Sequence, residues 1–201
     1  MAGLPAVFLD RDGTITVERG HVTRPDDLAL LDGAADAIRT LNDAKVLAVV
    51  VSNQSGVARG LMSEEDLGRV HAELERLLLE RGARIDAAYY CPNYAGGVDE
   101  RYTKDLSCRK PATGMIERAV RECGIDLAAS YVVGDSSTDV ELAERAGIPG
   151  VLVLTGKGAA ELATAEARGI RVAHAAQDLA SAVRWVLADL ERRRKGNSDA
   201  G

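Results

Sequence analysis

The clearest indication of the fold is the stretch Val7-Phe8-Leu9-Asp10-Arg11-Asp12-Gly13-Thr14. Its apolar run ends abruptly at two acidic residues, which is typical of a buried parallel strand with polar chemistry at its carboxyl end. In an open α/β sheet the ligand binds beyond the carboxyl ends of the strands. Two carboxylates this close repel each other unless a cation or a proton lies between them. We therefore predict a magnesium-assisted site centred on Asp10 and Asp12. The alternative is a polar strand exit that caps a neighbouring helix.

The composition indicates one globular domain. The chain has 201 residues, 46% of them hydrophobic, and a formal net charge of −6. No apolar run reaches the roughly 18 residues that a membrane span needs, no signal peptide opens the chain, and no basic block precedes the C-terminal tail. We therefore expect a cytoplasmic protein that binds neither nucleic acid nor membrane. Three cysteines form an odd set, which argues against a disulfide framework.

Strands and helices are expected to alternate along the chain, with amphipathic stretches between short apolar runs. This alternation predicts an α/β fold with a doubly wound, mostly parallel sheet and right-handed crossovers, a Rossmann-like core with minimal cap insertions. We predict a single domain over residues 1–194 and a disordered tail over residues 195–201. Six apolar runs predict strands, at residues 6–9, 46–51, 85–90, 130–133, 150–154 and 170–173.

Polar side chains follow several of these strands, and the carboxyl ends of parallel strands lie along one edge of a sheet. Carboxylates, an amine and small hydroxyl or amide donors would then meet there. Carboxylate oxygens are suited to Mg²⁺, and a cation with neutral donors can bind the phosphoryl oxygens over which charge spreads. The pattern indicates phosphoryl transfer. The residues concerned are Asp10 and Asp12, Ser52 and Asn53, Arg109 and Lys110, and Asp135 and Asp139.

These motifs carry a resemblance to a known family. Asp10-Arg11-Asp12-Gly13-Thr14, Ser52, Lys110 and Gly134-Asp135-x-x-x-Asp139 resemble the haloacid-dehalogenase-like (HAD) phosphatases. Within that group the chain is similar to the branch of the heptose-bisphosphate and histidinol phosphatases, from about residue 5 to residue 157. The resemblance implies a HAD core and a Mg²⁺-dependent hydrolase that forms an aspartyl-phosphate.

The resemblance also implies a role for each residue of the catalytic set. Asp10 is expected to be the nucleophile, which splits one difficult displacement into two easier ones. Asp12 is expected to protonate the departing sugar oxygen and then to take a proton from the attacking water. Ser52 and Lys110 would bind the transferring phosphoryl group. The expected metal ligands are the carboxylates of Asp10 and Asp135 and the backbone carbonyl of Asp12.

The role of Asp139 stays open between direct participation and orienting Lys110 or a neighbouring loop.

The loops around the site are expected to select the substrate. The favoured substrate is the 7-phosphate of D-glycero-D-manno-heptose 1,7-bisphosphate, and the alternative is histidinol phosphate or another small phosphate monoester. Arg109 would contact the distal end, where its planar fork suits a second phosphate. Ser136 stands where the heptose enzymes usually carry a lysine, which weakens the exact substrate assignment. The expected substrate-binding residues are Glu18, Arg19, Gly20, His21, Asn53, Gln54, Ser55, Arg109 and Ser136.

Members of the family often hold a structural zinc in the third loop, with ligands spaced C-x-H and C-x-C. Here Asn93 and Leu106 stand at two ligand positions, so only Cys91 and Cys108 remain. Two thiolates do not make a closed four-ligand site. We therefore expect Mg²⁺ and no structural zinc.

A function of another class also fits part of the pattern. A receiver-like, phospho-accepting signalling domain has a doubly wound sheet, acidic residues, a hydroxyl, a lysine and Mg²⁺. Receivers are shorter, and they lack a second carboxylate two residues after the phospho-acceptor, which Asp12 supplies here. We expect a small-molecule sugar phosphate as the partner, and a monomer or weak homodimer.

Overall fold

The structure, a computed structural model, describes residues 3–198 and contains one six-stranded sheet. All five strand pairings are parallel, in the order β3-β2-β1-β4-β5-β6 for the strands defined below. This is the order of a doubly wound α/β fold, so the predicted fold class is confirmed. The strands are β1 (Ala6–Leu9), β2 (Leu47–Asn53), β3 (Ala87–Cys91), β4 (Tyr131–Gly134), β5 (Gly150–Val153) and β6 (His174–Ala176).

Helices connect the strands and cover both faces of the sheet. None of the helices within residues 3–198 is long and apolar enough to cross a membrane. The α-helices are α1 (Ala34–Asp43), α2 (Glu64–Leu79), α3 (Gly114–Cys123), α4 (Ser137–Arg145), α5 (Gly158–Ala167) and α6 (Leu179–Ser198), and short 3₁₀ turns lie at Pro25–Asp27, Glu100–Tyr102 and Leu127–Ala129.

Two boundaries near the C-terminus differ from the sequence prediction. The last strand begins at His174, not within residues 170–173, because Ile170 packs against Leu152 and Ala165 instead of joining the sheet. The tail predicted to be disordered from residue 195 is part of α6 as far as Ser198, and residues 199–201 lie outside the described residues.

The sheet is buried on both faces, which explains its continuous apolar strands. Alternate side chains of β1 point to opposite sides. Val7 and Leu9 join the cluster that α1, α2 and α6 cover, whereas Phe8 joins the cluster under α3 and α4. All four residues of β1 are fully buried, so this strand is fixed from both sides.

The carboxyl end of β1 lies at the point where the strand order reverses. Leu9 pairs with Val50 of β2 on one side and with Val133 of β4 on the other. The amide of the next residue, Asp10, donates to the carbonyl of Val133 at 3.0 Å. Asp10 therefore leaves the sheet beside the end of β4, in the crevice where doubly wound folds bind their ligands.

A disulfide joins Cys91 and Cys108, and this corrects the expectation drawn from the odd number of cysteines. An odd count leaves one thiol over, which is Cys123, but it does not prevent the other two from pairing. The fold brings the end of β3 close to the segment before α3, with the two Cα atoms 5.5 Å apart. The bond closes the insert of residues 92–107 at the site edge of the sheet.

We expect two neighbouring leucines of α2 to differ sharply in their contribution to stability. Leu78 is fully buried and Leu79 is 72% exposed. Leu78→Ala should lower the free energy of unfolding by about 2–5 kcal/mol, because it removes buried methyl groups and leaves a cavity. Leu79→Ala should change it by less than about 0.5 kcal/mol. Urea denaturation followed by circular dichroism measures both, and equal losses would contradict the orientation of α2.

Candidate active site

The ammonium of Lys110 lies at the centre of the candidate site. Its Nζ donates to Asp10 Oδ1 at 2.7 Å, to Asp139 Oδ1 at 2.6 Å and to the carbonyl of Val51 at 2.9 Å. All three ammonium hydrogens therefore have acceptors. Burial alone would lower the pKa of Lys110, but the two carboxylates raise it above its ordinary value, so the side chain is a fixed cation.

Asn53 holds the backbone at Lys110. Its side-chain amide donates to the carbonyl of Lys110 at 3.2 Å and accepts from the amide of Lys110 at 3.0 Å. This two-point contact joins the end of β2 to the segment before α3, across 57 residues of sequence. Asn53 thus fixes the origin of the lysine side chain, in addition to lining the cavity described below.

Asp139 orients Lys110, which is one of the two roles left open by the sequence. Its Oδ1 accepts from Lys110, and its Oδ2 accepts from the amide of Ser136 at 3.0 Å as part of a capping box at the start of α4. Burial raises the pKa of Asp139 to about 6, although Lys110 opposes the shift. Both oxygens accept hydrogen bonds and the side chain is only 1% exposed, so this carboxylate is placed to support the lysine.

Asp135 lies in a crowded acidic cluster. Ligand oxygens of Asp10, Asp135 and Asp139 lie within 4.8 Å of one another. Burial, together with the neighbouring charges of Asp10 and Asp139, raises the pKa of Asp135 to about 7. Three carboxylates and one ammonium leave an excess of negative charge here, and a hard divalent cation with oxygen ligands would neutralise it. Asp10 and Asp135 each accept only one hydrogen bond from residues 3–198, so their carboxylates have lone pairs left for such a cation.

Two loops press closely on the Asp135 carboxylate. A Cβ atom at Gly13 would lie 2.0 Å from Asp135 Oδ2, and one at Gly156 would lie 2.1 Å from it. Both glycines also have positive φ angles, 81° and 57°, which side chains rarely adopt. The amide of Lys157 donates to the same Oδ2 at 2.8 Å. The glycines therefore let two strand-end loops close around one carboxylate.

The second carboxylate of the opening motif, Asp12, faces the same cavity. Its Oδ2 accepts from Gln54 Nε2 at 2.9 Å and its Oδ1 from the hydroxyl of Thr16 at 3.2 Å. Both oxygens also accept from the guanidinium of Arg11. The Asp12 carboxylate is held in one orientation by residues of two loops, those after β1 and β2.

A cavity of about 200 Å³ opens at this edge of the sheet and collects most of the residues predicted from the sequence. Arg19 and Arg109 do not line it. Arg19 is exposed on the loop after β1, and Arg109 lies toward the insert, where its Nη1 donates to the carbonyl of Asn93 at 3.0 Å. The predicted residues in its lining are Asp10, Asp12, Glu18, Gly20, His21, Ser52, Asn53, Gln54, Ser55, Lys110, Asp135, Ser136 and Asp139.

Sequence reasoning missed the loop after β5. Gly156-Lys157-Gly158 is too short to be recognised as a phosphate-binding loop, so its sequence favours a turn over a phosphate contact, yet the loop reaches the site. The hydroxyl of Thr155 donates to the carbonyl of Gly13 at 2.6 Å, and the ammonium of Lys157 pairs with Glu18 Oε2 at 2.9 Å. This loop directly follows β5, which is fully buried. It therefore lies at the same edge of the sheet as the other strand ends, which is the signal that could have identified it.

A second missed feature lies beside Arg109. The guanidinium carbons of Arg59 and Arg109 lie 4.1 and 5.0 Å from the centre of the Tyr94 ring. Burial and the charge of Arg59 lower the pKa of Arg109, with Tyr94 opposing the shift. Neither guanidinium forms an ion pair with a carboxylate of residues 3–198. Two cations without acidic partners therefore lie next to the cavity.

The comparisons with known proteins agree with this geometry. The model of the HAD-hydrolase-like family matches residues 107–182. A D-glycero-D-manno-heptose-1,7-bisphosphate 7-phosphatase of Thermosynechococcus vestitus is 42% identical over 193 residues, which are 94% of this chain and 98% of the relative. A D-glycero-beta-D-manno-heptose-1,7-bisphosphate 7-phosphatase of Escherichia coli K12 is 42% identical over 155 residues, which are 77% of this chain and 81% of that protein.

Solved structures show the same relationship. The D,D-heptose 1,7-bisphosphate phosphatase from B. bronchiseptica, complexed with magnesium and phosphate, superposes with a TM-score of 0.81 at 34% identity. The match covers 92% of this chain and 99% of that structure. The chain therefore belongs to the haloacid-dehalogenase-like hydrolases, in the family of the heptose-1,7-bisphosphate 7-phosphatases.

Proposed function

We propose that this chain is a Mg²⁺-dependent phosphatase that removes the 7-phosphate of D-glycero-D-manno-heptose 1,7-bisphosphate. The observation that carries the proposal is the convergence of Asp10, Asp135 and Lys110 at one sheet edge, in a buried cluster with excess negative charge. The named relatives support the choice of substrate, since they match nearly the whole chain.

Asp10 is the nucleophile. Its Oδ1 accepts from Lys110 and keeps a second lone pair for the cation, whereas Oδ2 accepts no hydrogen bond from residues 3–198 and is left to attack phosphorus. In the first step a bond forms between this oxygen and phosphorus, the phosphorus–sugar oxygen bond breaks, and Asp12 gives a proton to the leaving sugar oxygen. In the second step water attacks phosphorus, Asp12 takes a proton from that water, and the acyl-phosphate bond breaks. Inorganic phosphate and the free Asp10 carboxylate result.

Neutral and cationic donors bind the transferring group. The hydroxyl oxygen of Ser52 accepts from Gln54 Nε2 at 3.2 Å, which leaves its hydrogen free to donate to a phosphoryl oxygen. Lys110 supplies a fixed positive charge beside it. The carboxylates of Asp10 and Asp135 and the backbone carbonyl of Asp12 would hold Mg²⁺. When bound, the ion would neutralise negative charge on the phosphoryl group.

The far end of the substrate meets a different group of residues. Arg109 and Arg59 present two guanidinium groups around Tyr94, and planar guanidinium groups suit a second phosphate. The hydroxyl of Ser136 accepts from the amide of Thr138 at the start of α4. Lys157 brings an ammonium to the same cavity from the loop after β5.

Two alternatives differ in specific ways. Histidinol phosphate or another small monoester would use the same chemistry but has no second phosphate for the arginines. A receiver-like signalling domain would keep its aspartyl-phosphate, whereas here a second carboxylate, Asp12, lines the cavity beside Asp10. That carboxylate supports hydrolysis, because it can activate water and recycle the enzyme.

The remaining expectations concern surroundings and assembly. A cytoplasmic monomer or weak homodimer, acting on a small sugar phosphate without nucleic acid or membrane, stays a prediction. The disulfide uses both sulfur atoms of Cys91 and Cys108, which supports the expectation that this loop does not bind zinc.

Asp10→Asn should abolish phosphatase activity with Mg²⁺ present. An amide oxygen is a poor nucleophile, while the amide can still accept a hydrogen bond from Lys110 and keep the fold. Turnover of the heptose bisphosphate should fall by at least about 10³-fold, with an unchanged circular dichroism spectrum. Asp43→Asn, an exposed aspartate on α1, is the matched control and should behave like the wild type. Substantial residual turnover in Asp10→Asn would rule out the nucleophile assignment.

Arg109→Ala should reduce activity on a bisphosphate more than activity on monophosphates. We expect kcat/KM for the heptose 1,7-bisphosphate to fall about 10- to 100-fold, mainly through KM, because a charged contact to the distal phosphate is lost. Heptose 7-phosphate and histidinol phosphate should be affected less than about threefold. Arg121→Ala, an exposed arginine on α3, serves as the control. Equal losses on all three substrates would show that Arg109 does not recognise the second phosphate.

The raised pKa of Asp135 predicts a pH-dependent stability without metal. The folded protein retains a proton up to about pH 7, whereas the unfolded chain releases it near the ordinary value. This stability is thus fully present at low pH and is lost as pH rises through about 7. Metal-free wild type should lose unfolding free energy relative to Asp135→Asn between about pH 5 and 8, and Mg²⁺ should restore it. Parallel curves for the two proteins, measured by urea denaturation, would contradict this origin of the shift.

A further inference from the structure

The guanidinium of Arg11 is fully buried directly behind the candidate acid/base. The side chain has no exposed surface, and the Asp12 side chain is 13% exposed. Nε of Arg11 donates to Asp12 Oδ1 at 3.1 Å, and Nη2 donates to Asp12 Oδ2 at 2.8 Å. This is a bidentate contact, which fixes the plane of the carboxylate as well as its place.

A third residue closes the contact into a ring. Nη2 of Arg11 also donates to Gln54 Oε1 at 3.0 Å, and Gln54 Nε2 donates to Asp12 Oδ2 at 2.9 Å. The ring of Tyr90 lies 5.9 Å from the guanidinium carbon. The loop after β1 is thereby tied to the loop after β2 through side chains whose polar atoms converge on Asp12.

The stability of the folded protein does not by itself explain why Arg11 is buried here. Nη1 of Arg11 is buried and has no hydrogen-bond partner among residues 3–198. Burying a charged group is costly, and a buried ion pair often contributes less to stability than apolar side chains of similar volume. An arginine beside the candidate acid/base, with one donor unsatisfied, is better explained by what it does for its neighbour.

We propose that Arg11 is a positioning residue, which holds the Asp12 carboxylate at the angle needed for proton transfer. The inference rests on the proposed function and extends it to a residue that does not touch the substrate. Proton transfer in both steps requires an Asp12 oxygen within hydrogen-bond reach of the sugar oxygen and then of the water. A bidentate guanidinium fixes the plane of this carboxylate, and Asp12 lines the cavity.

Substrates with different leaving groups can distinguish a positioning role of Arg11 from a purely structural one. The sugar oxygen must be protonated as it departs, whereas 4-nitrophenolate leaves as a stable anion. Since kcat/KM reports on the enzyme up to formation of the aspartyl-phosphate, it isolates the proton donation by Asp12. Arg11→Lys and Arg11→Met should lower kcat/KM for the heptose bisphosphate about 10²-fold but for 4-nitrophenyl phosphate less than about fivefold. A partly unfolded sample lowers both values equally, so their ratio stays informative.

Lysine keeps the charge but cannot hold both carboxylate oxygens, so Arg11→Lys should lose less than Arg11→Met without restoring the wild-type ratio. Asp12→Asn should show the same dependence on leaving group. Arg84→Met, which removes an arginine paired with Asp86 far from the cavity, should change neither substrate.

Two outcomes would overturn the inference. If the wild type hydrolyses both substrates and Arg11→Lys and Arg11→Met lose equally on both, Arg11 does not act through Asp12, and the proposed function stands. If the wild type with Mg²⁺ hydrolyses neither substrate, the proposed function fails and this inference fails with it.

Discussion

The site depends on one ammonium shared by two buried carboxylates. Lys110 can remain charged away from water only because Asp10 and Asp139 accept its hydrogens, and they can remain close together only because it lies between them. Asp135 adds a third carboxylate to this cluster. The sheet order, the Asn53 contact and the capping box of α4 all serve to bring these groups to one point.

The sequence contains enough information to predict the chemistry at the strand ends. A continuous apolar run that stops at a polar residue reports both a buried parallel strand and the edge where it ends, as at Asp10, Ser52 and Asp135. Contacts that depend on side-chain orientation are not visible in such a pattern. Arg11 could equally have pointed to solvent. Nor does a cysteine count say that the end of β3 passes beside Cys108.

The C-terminal part of the fold also depends on side-chain contacts that the sequence pattern does not reveal. The position of β6 follows from which apolar side chains reach the sheet, and Ile170 is used against α5 and β5 instead. The turn containing Lys157 carries no distinctive residue spacing, yet its backbone amide holds Asp135. Most groups proposed to react thus lie at strand ends, whereas the groups proposed to meet the rest of a substrate come from loops and from the disulfide-closed insert.

The two glycines that press on Asp135 have a consequence for how this architecture can diversify. With Gly13 and Gly156 on either side, no larger residue fits without displacing the carboxylate, so these two positions of the acidic half of the cleft cannot vary freely. Arg59, Tyr94 and Arg109, which form the rim of the cleft, are not constrained in this way by glycines. New substrates would accordingly be acquired by altering the rim, while the inherited reaction at its base stays as it is.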